Sequence, residues 1–241
     1  GVTYLGNEAG LLNSSNTLRF SGNKAINFGN DILYRHAFEK KGRSISLNAS
    51  TQINNRDGNS NLYSKNLFYD DLIARGDTID QVSYSNSKGT TLGGNVNYTE
   101  PISATGQLQF NYGITLSNSN SDKQTYNMGF DQRGYTDLDT LLTNSFDNRY
   151  LTNRAGMSYR YRKNNWSANV GLDFQNTGLY SDQLAPVVAT VDQTFTNLLP
   201  NFMLNYRSKE GTQFRAFFRS STNQPSISQL QNVIDNSNPL S

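Results

Sequence analysis

The chain has no cysteine and a single histidine, His36, among its 241 residues. Without cysteine there is no disulfide framework and no thiolate metal site. The lack fits a protein that crosses an oxidising compartment but does not prove it. A zinc site would have to rest on carboxylates, and a lone histidine in a strand-like stretch is far more often structural than catalytic. No GxSxG, GxGxxG or P-loop occurs, so no nucleophile–base pair and no phosphate cradle can be assembled. Neither an enzyme nor a cofactor is expected. No apolar run approaches the ~20 residues of a membrane helix. No secretory leader is seen before Gly1, as expected of a mature or excised form. Charged residues make up 17% and the net charge is +2, too balanced for a nucleic-acid partner.

Aromatic residues are plentiful, with 14 Tyr and 13 Phe, which argues against disorder. They fall into a strict two-residue alternation. In Gln107–Ser117 the even positions Leu108, Phe110, Tyr112, Ile114 and Leu116 are apolar or aromatic, and every odd position is polar or Gly. Neighbouring side chains of a strand point to opposite faces, so this is one strand with one greasy and one wet face. Soluble strands usually stop near five or six residues, whereas a strand of roughly ten with this pattern suits a bilayer-spanning barrel.

The pattern recurs. Ile45, Leu47, Ala49 and Ile53 share one face of 43–54, and Leu92, Val96 and Tyr98 one face of 90–98. Residues 150–162 set Leu151, Ala155, Met157, Tyr159 and Tyr161 opposite Arg154, Ser158, Arg160 and Arg162. Residues 166–175 set Trp166, Ala168, Val170, Leu172 and Phe174 opposite Ser167, Asn169, Asp173 and Gln175. In 212–219, Phe214, Ala216 and Phe218 oppose Gln213, Arg215 and Arg219, and Phe217 breaks the rule. Weaker cases are 30–38 and 201–207. The expected fold is all-β: an antiparallel meander of about eight long strands in four hairpins, one domain over 1–241, forming part of a transmembrane β-barrel.

Short turns are expected at 39–42, 100–106, 163–165 and 208–211, and long polar external loops near 55–82, 119–146 and 178–195. Short turns at one end and long loops at the other is the layout of outer-membrane barrels. Tyr98, Tyr159, Tyr161, Trp166, Tyr206 and Phe214 gather near the short-turn ends, where an interfacial girdle belongs. The expected lipid-facing belt is Leu108, Phe110, Tyr112, Ile114, Tyr159, Tyr161, Trp166, Val170, Leu172, Phe174 and Phe214. Arg160, Arg162, Arg207, Arg215 and Arg219 fall on the polar face by parity. There they can meet a plug or an anionic solute, or pair within the wall, as interior charges usually do. Lys40, Lys41, Lys163 and Lys209 sit in turns. The acidic pairs Asp70/Asp71 and Asp137/Asp139 lie in expected loops, and Asn55-Arg56-Asp57-Gly58-Asn59 lacks the spacing and closing Glu of a calcium loop.

Three stretches carry a family resemblance: Leu33-Tyr34-Arg35-His36-Ala37-Phe38-Glu39-Lys40-Lys41-Gly42-Arg43-Ser44, then Tyr98-Thr99-Glu100-Pro101-Ile102, then Arg219-Ser220-Ser221-Thr222-Asn223-Gln224-Pro225-Ser226-Ile227-Ser228-Gln229-Leu230-Gln231, continuing as Asp235-Asn236-Ser237-Asn238-Pro239-Leu240. The chain resembles the outer-membrane β-barrel family related to TonB-dependent receptors of Gram-negative bacteria. The resemblance implies a barrel in the outer membrane with a separate plug and a carboxypeptidase-regulatory-like region. It also implies uptake of a small solute, energised by an inner-membrane coupling protein. The chain is then expected to be an internal slice of a wider barrel, with the bilayer as its main partner. The rival expectation is a soluble secreted β-sandwich or adhesin-like module with short strands in two sheets. A lipocalin-like barrel would need the aromatic parity inside.

Overall fold

A computed structural model describes residues 2–7, 10–70 and 73–223. They form one antiparallel sheet of ten strands: β1 (Val2–Asn7), β2 (Gly10–Ala37), β3 (Ser44–Asp70), β4 (Ile73–Pro101), β5 (Gly106–Met128), β6 (Tyr135–Leu138), β7 (Asn144–Lys163), β8 (Trp166–Ala185), β9 (Ala189–Arg207) and β10 (Gln213–Arg219). Each strand pairs with the next in sequence, except that β7 passes over β6 to pair with β5, and β6 is a spur on β5. Among the described residues β1 and β10 are not paired with each other, so the sheet is open, and no second sheet packs against it. The two-sheet sandwich is not the architecture here.

The eight alternating segments correspond to β2–β5 and β7–β10. Two further strands, β1 and β6, add to the expected eight. The larger difference is length. β3 runs 27 residues and β4 runs 29, against the 12 and nine residues that alternate in sequence. The segments expected to be long loops are mostly strand. Residues 55–70 and 73–82 are a continuous ladder from Asn55↔Lys88 to Asp70↔Ile73, and the acidic Asp70 ends β3, while Asp71 lies outside the described residues. The 119–146 segment is strand to Met128 and again from Asn144, with β6 between, and 178–195 is strand except for 186–188. The cause lies in the pattern itself. Both faces of these stretches carry Asn, Ser and Asp, so a ladder exists without alternation to reveal it. The asymmetry between the two ends therefore lies in how far the strands run, not in loop length.

The short-turn end is tightly built. Phe38 N–H donates to Arg43 O at 3.1 Å across the first turn, and Gly42 takes φ +88°, a left-handed conformation that Gly adopts without penalty. Asn164 occupies the same region at φ +49° in the β7–β8 turn, where Asn is well tolerated. At the opposite edge, Pro200 explains why β10 is short. Ser220 N–H donates to Pro200 O at 3.1 Å, so Pro200 faces β10, yet it has no N–H to return the bond. The β9–β10 ladder accordingly ends at Asn201↔Arg219. Beyond it the chain leaves the sheet, and Thr222 Oγ1 accepts a 2.8 Å hydrogen bond from Gln175 Nε2 of β8.

Candidate functional site

Residues directly opposite one another in the ladder share a face. Register therefore shows which side each side chain takes. One row reads Tyr98, Phe110, Met157, Leu172, and the next Val96, Tyr112, Ala155, Phe174, Leu198. Leu108, Tyr159, Val170 and Phe202 form a third, and Trp166, Tyr206 and Phe214 a fourth at the short-turn rim. All eleven residues expected in the belt, including Ile114 and Tyr161, lie on this one face. Its large apolar side chains stand open: Phe110, Tyr112 and Ile114 are 43%, 48% and 42% exposed. The rings cluster at the rim, with Trp166 and Tyr206 centroids 4.6 Å apart and His36 edge-on to Phe38 at 4.7 Å. On β5 the apolar band spans Leu108–Leu116, roughly 27 Å along the strand at ~3.4 Å per residue. About nine residues is the length that a tilted strand needs to cross a bilayer.

The other face is polar and enclosed. On β8, Gly171, Asp173, Thr177, Leu179 and Ser181 are buried, while Val170, Leu172 and Phe174 between them are open. Such unequal burial across a single layer means that the sheet curls around its polar side. The aromatic parity is outside, which removes the lipocalin-like arrangement. At the centre of the enclosed face Arg154 donates to Asp173 at 2.6 Å, and Asn111 Nδ2 adds a bond to the same carboxylate at 3.1 Å. Gly156 makes room for them, because a Cβ there would run into both Asp173 and Asn111. Parity placed Arg154 and Asp173 on this face, but only the register brings them together.

All five arginines expected inward share this face. Arg162, Ser167, Asn205 and Arg215 form one row, Arg160, Asn169, Met203 and Phe217 the next, and Ser158, Gly171, Asn201 and Arg219 the third. Arg207 faces Gln213. Arg215 donates to Asn205 at 2.9 Å. Among the described residues none of the five has an acidic partner, and the ion pair on this face is made by Arg154, which is not one of them.

Just past the outward band of β4, which ends at Tyr98, Glu100 accepts from Lys40 at 2.5 Å, from Arg43 at 2.8 and 2.9 Å, and from Tyr98 at 2.5 Å. Hydrogen bonds from Arg43, then Lys40, then Tyr98 hold its carboxyl down to about 2. This clip ties the β2–β3 hairpin to the β4–β5 hairpin. Glu100 was grouped with a turn in the sequence, and its partners come from 57 and 60 residues away.

Farther from the short turns the faces change. On β7 and β8 the enclosed side takes in apolar groups, with Phe146, Tyr150 and Leu179 buried among the polar Asn148, Thr177 and Ser181, and joined by Leu142 from the β6–β7 connection. The outer side becomes Asn118, Asn120 and Asp122 on β5 and Asp147 and Arg149 on β7. No group of three or more metal-ligating side chains occurs among the described residues.

An antiparallel wall of long strands, apolar outside over a band of membrane height and polar within, defines a transmembrane β-barrel. The chain matches the model of the outer membrane protein beta-barrel family over residues 36–241 and belongs to that family, placing it in the outer membrane. No curated protein and no solved structure matches it. The matched region includes the final stretch quoted above, whose residues from Gln224 onward lie outside the described ones.

Proposed function

We propose that this chain forms part of the wall of a TonB-dependent transporter that carries a small solute across the outer membrane. The outward band from Leu108 to Leu116 and its neighbours contacts lipid. The enclosed face lines the path, and the polar ends of β3–β5 and β7–β9 project outside the cell. A plug occupies the lumen, and an energy-coupling protein acts on it. The observation that supports this best is the open sheet. Nine strands lie on its pairing path, and they curl without closing over a face of Ser, Asn, Gly and Arg. Small barrels fill their interiors with side chains, whereas this face suits a wider lumen.

Planar-bilayer recording of the full-length protein tests the reading. A plugged transporter stays closed and opens when denaturant displaces the plug. A fixed conductance from the moment of insertion contradicts it.

A further inference from the structure

Phe217 is the residue that the belt does not absorb. It stands on the enclosed face, 76% exposed, between Arg215 and Arg219 on the same strand and opposite Met203. Flanked by two arginines and faced by Met203, the ring stands open to water. Across β9 and β8 from β10 stand Arg160 and Arg162 on β7. Three strand spacings of ~4.8 Å separate the two arginine lines by roughly 14 Å. The floor between them is short or amide-bearing: Ser167, Asn169 and Gly171 on β8, with Asn201 and Asn205 on β9. Gly171 keeps this floor low, since a Cβ there would strike Asn201 and Ser158. A cavity of about 480 Å³ opens beside β10, and its lining includes Asn201, Met203, Arg215, Phe217 and Arg219 together with the paired Arg154 and Asp173.

We infer that this trough binds a small organic anion, its carboxylate or phosphate group held by Arg215 and Arg219 and its apolar body against Phe217 and Met203. Three observations favour that occupant. The guanidiniums lack acidic partners, and Arg forks match carboxylate and phosphate geometry. The one acid that lines the cavity, Asp173, is already held by Arg154. The cavity is of small-solute size. The inference rests on the transport reading above and names its substrate class.

Isothermal titration of the detergent-solubilised full-length protein tests it, with 1-naphthyl phosphate, 1-naphthol and inorganic phosphate as probes. The trough predicts binding of naphthyl phosphate, at least tenfold weaker binding of naphthol and of phosphate, and at least tenfold loss in an Arg215→Gln/Arg219→Gln variant. Phe217→Ala is expected to weaken naphthyl phosphate while leaving inorganic phosphate unchanged. Heat-modifiable gel mobility verifies that each variant is folded. Equal binding of naphthol and naphthyl phosphate, or unchanged binding in the double variant, overturns the inference. No binding by wild type, together with a double variant that conducts without denaturant, assigns the arginines to an acidic face of the plug instead and also overturns it. Plug-gated conductance with no anion binding leaves the transport reading standing and removes only the substrate class.

Discussion

Along β5, β7 and β8 the sheet has two zones built on one backbone. In the band that includes Phe110, Tyr112 and Ile114 the apolar side chains point out and Asn111 and Asp173 point in. Beyond Leu116 the outer side chains are Asn118, Asn120 and Asp122, and the buried ones include Phe146, Tyr150 and Leu179. The ladder continues through the change without a break, because backbone hydrogen bonds do not depend on which face is greasy. What changes is the solvent outside. Next to lipid an outward apolar side chain needs no cover, and a polar interior can stay wet. Beyond the band, β7 and β8 bury Phe146, Tyr150 and Leu179 on the enclosed side, where they are kept from water. On the proposed reading, the change of face on β5, β7 and β8 is the level at which the wall leaves the bilayer.

The comparison can be broken by substitution. The largest effect is expected in the projecting zone, where Phe146→Ala empties a fully buried site and should cost about 3–5 kcal/mol, read from denaturant unfolding in lipid vesicles. Phe110→Arg places a charge on the outward face of the band and should cost about 2–4 kcal/mol in the same assay. The matching change one zone up, Asn120→Arg, should stay within about 0.5 kcal/mol. Similar costs for these two would erase the boundary. Inside the band, Asp173→Ala strands Arg154 on a partly buried surface and should cost about 1–3 kcal/mol. The smallest effect belongs to the rim. Because Glu100 titrates near 2 when folded and near 4.5 as a free side chain, its clip is fully present above about pH 4.5 and weakens as pH falls towards 2. Glu100→Gln should remove that acid sensitivity, followed as protease cleavage at the 38–43 turn between pH 5 and 3.

The two zones were unequally legible in the sequence. Within the band, alternation marked eight strands and assigned the faces of all eleven belt residues and all five arginines. That is because a strand between lipid and water must alternate. Outside the band the same criterion pointed to loops over 55–82, since Asn55, Asp57 and Asn59 differ little in polarity from Arg56, Gly58 and Ser60. A strand wet on both sides leaves no period to read. The short β6, four residues long, carries too few positions for a pattern. The Arg154–Asp173–Asn111 cluster and the Glu100 clip were hidden for another reason. Parity gives the face but not the register, and both clusters join residues of different elements.

The most direct test of the two-zone account is a spin-label scan from Gln107 to Gln124, one cysteine at a time, in the full-length protein in lipid vesicles. Accessibility to oxygen and to a water-soluble nickel complex is read at each site. The account predicts that labels at Phe110→Cys, Tyr112→Cys and Ile114→Cys meet oxygen and not nickel, alternating with their neighbours. It predicts that labels at Asn118→Cys, Asn120→Cys and Asp122→Cys meet nickel. Nickel access to the Phe110, Tyr112 and Ile114 positions, or shielding of them from both reagents, would contradict it.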